Sequence, residues 1–132
     1  MNFQYVNPAD LHSVWDFVDD GLEIVRQRTK ESWIPEDVYY AIKAGLAQLF
    51  MIPDGFVVLQ NNRDQWTNEP VLHIWVTYHS KTDDMTDDFH SNLRKIADNV
   101  GAKSITFSSP RRWERRSGAE VKSINYKIEI KE

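Results

Sequence analysis

The chain contains no cysteine, which excludes disulfide bonds, thiolate metal sites and a cysteine nucleophile. No apolar run approaches the roughly 20 residues that a membrane-spanning helix needs. The first residues, M-N-F-Q-Y-V-N-P, carry neither a basic segment nor the apolar stretch of a secretory leader. Positive charge is in deficit: 16 Lys and Arg against 20 Asp and Glu leave a net charge of −4, so bulk electrostatics do not favour nucleic acid as a partner. No repeat, linker or low-complexity segment interrupts the 132 residues. What is present suits a packed core. Apolar residues make up 41% of the chain and aromatics 12%, so one folded domain over residues 1–132, inside whatever cell makes it, is the expectation.

The most informative stretch runs from Val71 to Arg112. Leu72, Ile74, Val76 and Tyr78 alternate onto one face of an extended segment, with His73, Trp75, Thr77 and His79 on the other. Both faces are mostly large or apolar, as in a central strand covered on both sides. A helical period follows, in which Met85, Phe89, Leu93, Ile96, Ala97 and Val100 share one side. Gly101 stands where a left-handed cap would end that helix. Ser104–Ser108 is a second short strand, stopped by Pro110. A strand, helix and strand of this length imply a crossover and two parallel neighbours in one sheet.

Around this unit, residues 3–6 read as a short strand. Asn7 is expected to cap a helix with Pro8 and Asp10 in its first turn. Leu11, Val14, Trp15, Val18, Leu22 and Val25 continue that helix at spacings of three and four. Gly21 lies inside it, where glycine costs about 1 kcal/mol against alanine, so close approach by another element is the expected compensation. A second helix opens at Ser32 or Trp33, with Pro35, Glu36 and Asp37 in its first turn and Val38, Tyr39, Ile42 and Leu46 buried. Pro53–Gly55 is a tight turn joining two antiparallel strands, the glycine accepting a positive φ. Asn61–Pro70 is a polar loop, either a second hairpin connection or the edge of a site. Arg111–Gly118 has the pattern of a short helix, and N-Y-K-I-E-I-K closes the chain as a strand.

The order strand, helix, helix, three strands, helix, strand, short helix, strand resembles the GNAT (acyl-CoA N-acyltransferase) superfamily. The resemblance implies an α/β (α+β) fold with a mixed central sheet and helices on both faces. It extends to short GNAT-like proteins of bacterial viruses and prophages, which carry an S-P-R-x-x-W stretch, a glycine before the last strand and a closing tyrosine-containing strand. Ser109, Pro110, Arg111, Gly118 and Tyr126 match those features, and Trp113 is set against the motif's tryptophan although it stands one place nearer the arginine. A cytoplasmic location in the host cell, with association to the virus particle as a further option, goes with that resemblance.

The superfamily holds the acetyl-CoA pyrophosphate in a Q/R-x-x-G-x-G/A loop, where glycines let backbone N–H groups reach the phosphates at a helix N-terminus. The corresponding stretch here, S-K-T-D-D-M-T-D-D (Ser80–Asp88), has no glycine and brings Asp83, Asp84, Asp87 and Asp88 to that place, with only Lys81 opposing them. No glutamate base lies in Val71–Ser80, and Trp113 stands where a general-acid tyrosine is usual. Two readings follow. In the first, the acetyl-CoA site is degenerate, no cofactor is held, and the protein serves a binding or structural role. Arg111, Arg112, Trp113, Arg115 and Arg116 would then contact a protein or another anionic partner, since four arginines and Glu114 leave a local charge of +3 and can grip carboxylate or phosphate bidentately. In the second, the chain is a divergent N-acyltransferase with His73 or His79 as base. Thr77, Tyr78, His79, Ser80, Lys81, Ser108, Arg111 and Arg112 would hold acetyl-CoA in the groove between the two parallel strands. His79, Asp83, Asp87 and His90 lack any recognised metal spacing, so no metal is expected. Trp15, Trp33 and Trp75 are assigned to the core, Trp66 and Trp113 to contact surfaces.

Overall fold

The computed structural model describes residues 3–79, 87–109 and 124–129, with 87, 88, 108, 109 and 124–129 described as backbone only. Among the described residues six strands form one sheet whose spatial order is the chain order: β1 (Gln4–Tyr5), β2 (Gln48–Ile52), β3 (Gly55–Arg63), β4 (Pro70–His79), β5 (Ser104–Ser109) and β6 (Ile124–Glu129). All neighbours are antiparallel except β4 and β5, which run parallel. The helix between those two, α3 (Asp87–Val100), is the expected crossover. The other helices, α1 (Trp15–Thr29) and α2 (Pro35–Lys43), follow β1. The sheet therefore has helices on both faces, and the element order matches the sequence expectation throughout the described residues. The short helix expected over Arg111–Gly118 lies outside them.

Each face has its own core. Val18, Leu22, Val38 and Ile42 of α1 and α2 pack with Leu49, Phe56, Val58 and Val76 of the sheet. On the other face Phe89, Leu93 and Ala97 of α3 pack with Val57, Leu59, Leu72 and Ile105. Strand β3 is buried on both sides, Phe56 to Leu59 being fully enclosed, which explains its unbroken apolar run.

Several local expectations are corrected. The first helix is not continuous: residues Pro8–Ser13 form a 3-10 segment that Asn7 caps by accepting the Ala9 N–H at 2.9 Å. Val14 (φ −118°, ψ −2°) ends that segment and is the residue from which α1 begins. Its N–H donates to Leu11 O, three residues back, and its own carbonyl accepts from Val18. Leu11 and Val18 are both buried, so the break preserves the apolar stripe. Helix α2 starts at Pro35 rather than Ser32 or Trp33, because the Asp37 side chain accepts the Ile34 N–H at 3.0 Å and fixes Ile34 as the cap. It stops at Lys43, so Leu46 lies beyond it and is 68% exposed instead of buried. Val100 is likewise exposed at the end of α3, and Trp15 and Ile96 are half-buried rather than enclosed. Gly101 does close α3 in the left-handed region (φ 74°), with Ala102 N–H donating to Ala97 O.

In the Pro53–Gly55 turn the positive φ belongs to Asp54 (62°) rather than to glycine. Asn61–Arg63 extend β3, Pro70 opens β4, and residues 64–69 between them are the β3–β4 hairpin connection. The element that approaches Gly21, which the sequence left unnamed, is the sheet: an added Cβ would lie 2.6 Å from Phe56 Cε1 and 2.8 Å from Tyr78 Cδ2, so α1 rides directly on the two rings. Gly21→Ala is expected to lower the melting temperature by several degrees. The gain of about 1 kcal/mol in helix preference is outweighed by overpacking of about 1–3 kcal/mol against enclosed Phe56. A higher melting temperature would show that α1 sits further from the sheet.

Candidate functional site

The candidate site is where β4 and β5 part. Their ladder joins Val71 to Ser104, Leu72 to Ile105, His73 to Thr106 and Ile74 to Phe107, and goes no further. Beyond it β4 continues to His79, while β5 stays with β6 through Ser108 and Ser109. A bulge sits at the same level. Against β3, Leu59 pairs with Ile74 but Val58 pairs with Val76, leaving Trp75 as the extra residue. A bulge of this kind bends the strand and strengthens its twist. It carries β4 away from β5 and leaves the β5-facing edge of Trp75–Tyr78 without a ladder partner among the described residues.

The bulge also corrects the strand's facial pattern. Leu72 and Ile74 face α3, as expected together, but Val76 and Tyr78 join the α1–α2 core instead. Trp75 packs on that core too, its ring edge-on to Trp33 at 6.4 Å between centroids. One inserted residue reverses every side chain beyond it.

The two candidate bases are thereby separated. Pairing places His73 opposite Gln60 and His79 opposite Gly55, on opposite faces of the sheet once the bulge is counted. Six residues of strand put them about 20 Å apart. His73 lies below the parting point, its Nδ1 2.7 Å from Thr106 Oγ1, so it bridges β4 to β5. Burial lowers its pKa, disfavouring the imidazolium. His79 ends β4, at the far end of the open stretch. Thr77 and Tyr78 lie between them, both half-buried. The Tyr78 ring is committed to the core, 5.5 Å from Phe56 and 6.0 Å from Phe17, so only its backbone edge addresses the opening. Ser108 lies on the opposite strand, paired with Asn125. Ser80, Lys81, Arg111, Arg112, Trp113, Arg115 and Arg116 fall outside the described residues, as do Asp83 and Asp84.

Two features of the region were missed by the sequence reading. One is the bulge itself. The other is a group of carboxylates over the α1–α2 face: Asp16, Asp19, Asp20 and Glu23 on α1, with Glu36 opening α2. Burial first, then the charges of Glu36, Asp20, Glu23 and Asp16, raise the pKa of Asp19. Glu23 is pulled the other way by its hydrogen bonds from Arg26. Four acids within eight residues of α1 were a readable signal. Among the described residues no group of three or more His, Asp or Glu is placed to hold a metal ion, and no helix is long and apolar enough to cross a membrane.

No protein-family model matches the chain, and no curated protein sequence does. Solved structures do resemble it. A probable acetyltransferase superposes with a TM-score of 0.63 at 12% identity, covering 83% of this chain and 80% of its own. The ribosomal-protein-alanine N-acetyltransferase of Brucella melitensis biovar Abortus 2308 follows at 0.59 and 13%, covering 86% and 83%. A tetramutant of a Bacillus halodurans protein gives 0.57 at 9%, covering 89% and 88%. Identities this low speak for the fold alone: a mixed α+β, GNAT-like acetyltransferase fold.

Proposed function

We propose that this chain is an acyltransferase-fold protein of bacterial viruses or prophages that acts as a binding or structural partner and holds no acetyl-CoA. One observation carries the non-catalytic reading. The segment joining β4 to α3 supplies Asp83 and Asp84, the helix opens on Asp87 and Asp88, and no glycine lies between Ser80 and Asp88, where the superfamily keeps its phosphate-binding loop. Like charges about 4 Å apart repel by roughly 1–4 kcal/mol at the dielectrics of water and protein surface, and Lys81 counters only one. The viral assignment rests on the Ser109, Pro110, Arg111, Trp113, Gly118 and Tyr126 matches. In this reading Arg111, Arg112, Trp113, Arg115 and Arg116 form the contact surface for an anionic or protein partner.

The parting of β4 and β5 favours a second reading, a divergent N-acyltransferase. A strand edge without a ladder partner can bond the amides of an extended pantetheine chain, and His79, which ends the open stretch of β4, would be the base, whereas His73 lies within the closed β4–β5 ladder. A melting scan of the full chain with millimolar acetyl-CoA separates the two. A ligand at a hundred times its Kd stabilises by about 2.7 kcal/mol, a shift of several degrees. No shift is expected. A shift that disappears in Arg111→Ala/Arg112→Ala would overturn the non-catalytic reading and put phosphate binding on the arginines.

A further inference from the structure

At the end of the sheet opposite the parting strands, the β3–β4 loop displays Trp66 with 86% of its surface exposed. The loop beneath it is fixed. Asp64 Oδ1 accepts the N–H groups of Trp66 (2.8 Å) and Thr67 (3.0 Å), and Asp64 N–H donates to Glu69 O at 2.9 Å. Asn68, held at a φ of 60°, donates to Asp64 O at 2.8 Å, and Arg63 Nη1 donates to Asn68 O at 2.8 Å. A large apolar side chain on a pre-ordered loop loses little conformational freedom when it is buried, which is the property of an interface anchor.

Beside the base of this loop lies a hollow of about 240 Å³. Its lining combines apolar Pro70, Val71, Val100 and Ala102 with polar Asn61, Asn62 and Arg63. It is smaller than the roughly 300–1,000 Å³ usual for small-molecule sites, and its size and lining suit one aromatic side chain. An indole body would cover exposed Val100, and the side-chain amides of Asn61 and Asn62 offer oxygens to its N–H. Knob and hollow are neighbours: five of the hollow's seven lining residues belong to the hairpin that carries Trp66, which is three residues from Arg63 and four from Pro70. Adjacency on one patch is what a two-fold, self-complementary interface requires, because each copy then offers both halves of the contact. The charges agree as well, since the loop of one copy would bring Glu69 towards Arg63 of the other.

We propose that this patch is a pairing surface between two copies of the chain, with Trp66 of each seated in the hollow of the other. Each tryptophan contributes about 150–250 Å², so the interface lies at or below the low end of the roughly 1,200–2,000 Å² of stable complexes. The pair should dissociate on dilution through the micromolar range.

Sedimentation velocity of the full chain, from low micromolar to near-millimolar concentration, tests this. A concentration-dependent dimer is expected. Trp66→Ala and Val100→Lys each change an exposed residue, so both should keep the native melting temperature while weakening self-association about tenfold or more. Mixing the two variants restores one knob and one hollow, and a heterodimer stronger than either homodimer should form. A chain that stays monomeric throughout overturns the proposal. So does a dimer unaffected by both substitutions, or a mixture that associates no better than its components.

Discussion

Gly55→Ala should be among the most damaging single-atom-group additions in the chain, lowering stability by about 3 kcal/mol or more. An alanine Cβ at this position would lie 2.0 Å from Tyr78 O, and 3.0 Å from both Tyr78 C and His79 Cα. All three are backbone atoms of β4, so no side-chain rotation relieves the overlap. The φ at Gly55 is outside the left-handed region, which makes the close approach of β4 the whole cause. Relief requires the end of the β3–β4 ladder to open, where Gly55 faces His79 and Phe56 faces Tyr78. The opening would then reach the enclosed Phe56 ring and, through Tyr78, the seat of α1. Gly101→Ala is the internal comparison. Its φ of 74° strains an alanine by roughly 1–2 kcal/mol, but nothing lies within 4 Å of the added atom. Urea denaturation should show the Gly55 midpoint falling well below the Gly101 midpoint at unchanged m. Equal midpoints would mean that β4 does not pass so close to the turn.

The contrast between these glycines shows what the sequence made legible. Gly101 could be assigned from its place after a helical period, because a helix end is a local event. The turn around Gly55 was also legible, but its reason was misassigned: Asp54 takes the left-handed conformation, and Gly55 is needed by a strand that follows fifteen residues later. Gly21 is similar, its partners Phe56 and Tyr78 being set by tertiary packing. The parallel pair and the Pro53–Gly55 hairpin followed from spacing and turn chemistry, whereas the pairing across residues 61–70 was open between two readings and the places of β1 and β6 had no local signal.

The candidate site was less legible because its defining feature is an irregularity. Apolar alternation from Leu72 to Tyr78 is what a regular strand would show, and no residue in it marks Trp75 as the bulge. Only pairing with β3 reveals that Val76 has changed sides. That one residue divides His73 from His79 and opens β4 from β5, so the arrangement of the site depends on register more than on any motif. The carboxylates of α1 were visible as a run, whereas their neighbour Glu36 comes from a helix whose docking no local pattern specifies.

Phe89→Ala is expected to destabilise the chain by about 3–5 kcal/mol. Phe89 is 3% exposed and stands in the first turn of α3, packed among Leu72, Leu93 and the α3-facing residues of β3. Its ring centre lies 5.3 Å from that of Phe3, which in turn is 6.0 Å from Phe50, so one aromatic row ties the start of α3 to β2 and the N-terminal segment. Truncation leaves a void walled by sheet residues that cannot follow the helix inward. The full cavity penalty should therefore be felt. Phe3 is only half-buried, so Phe3→Ala should cost less. If the rings contribute through their mutual contact, the double substitution should fall short of the sum by about 0.5–1.5 kcal/mol. Urea midpoints of the two single variants and the double variant measure all three quantities. A change below about 1 kcal/mol for Phe89→Ala would contradict the packing of α3 on this face. With it would go the crossover that makes β4 and β5 parallel, and hence the parting strands on which the candidate site is built.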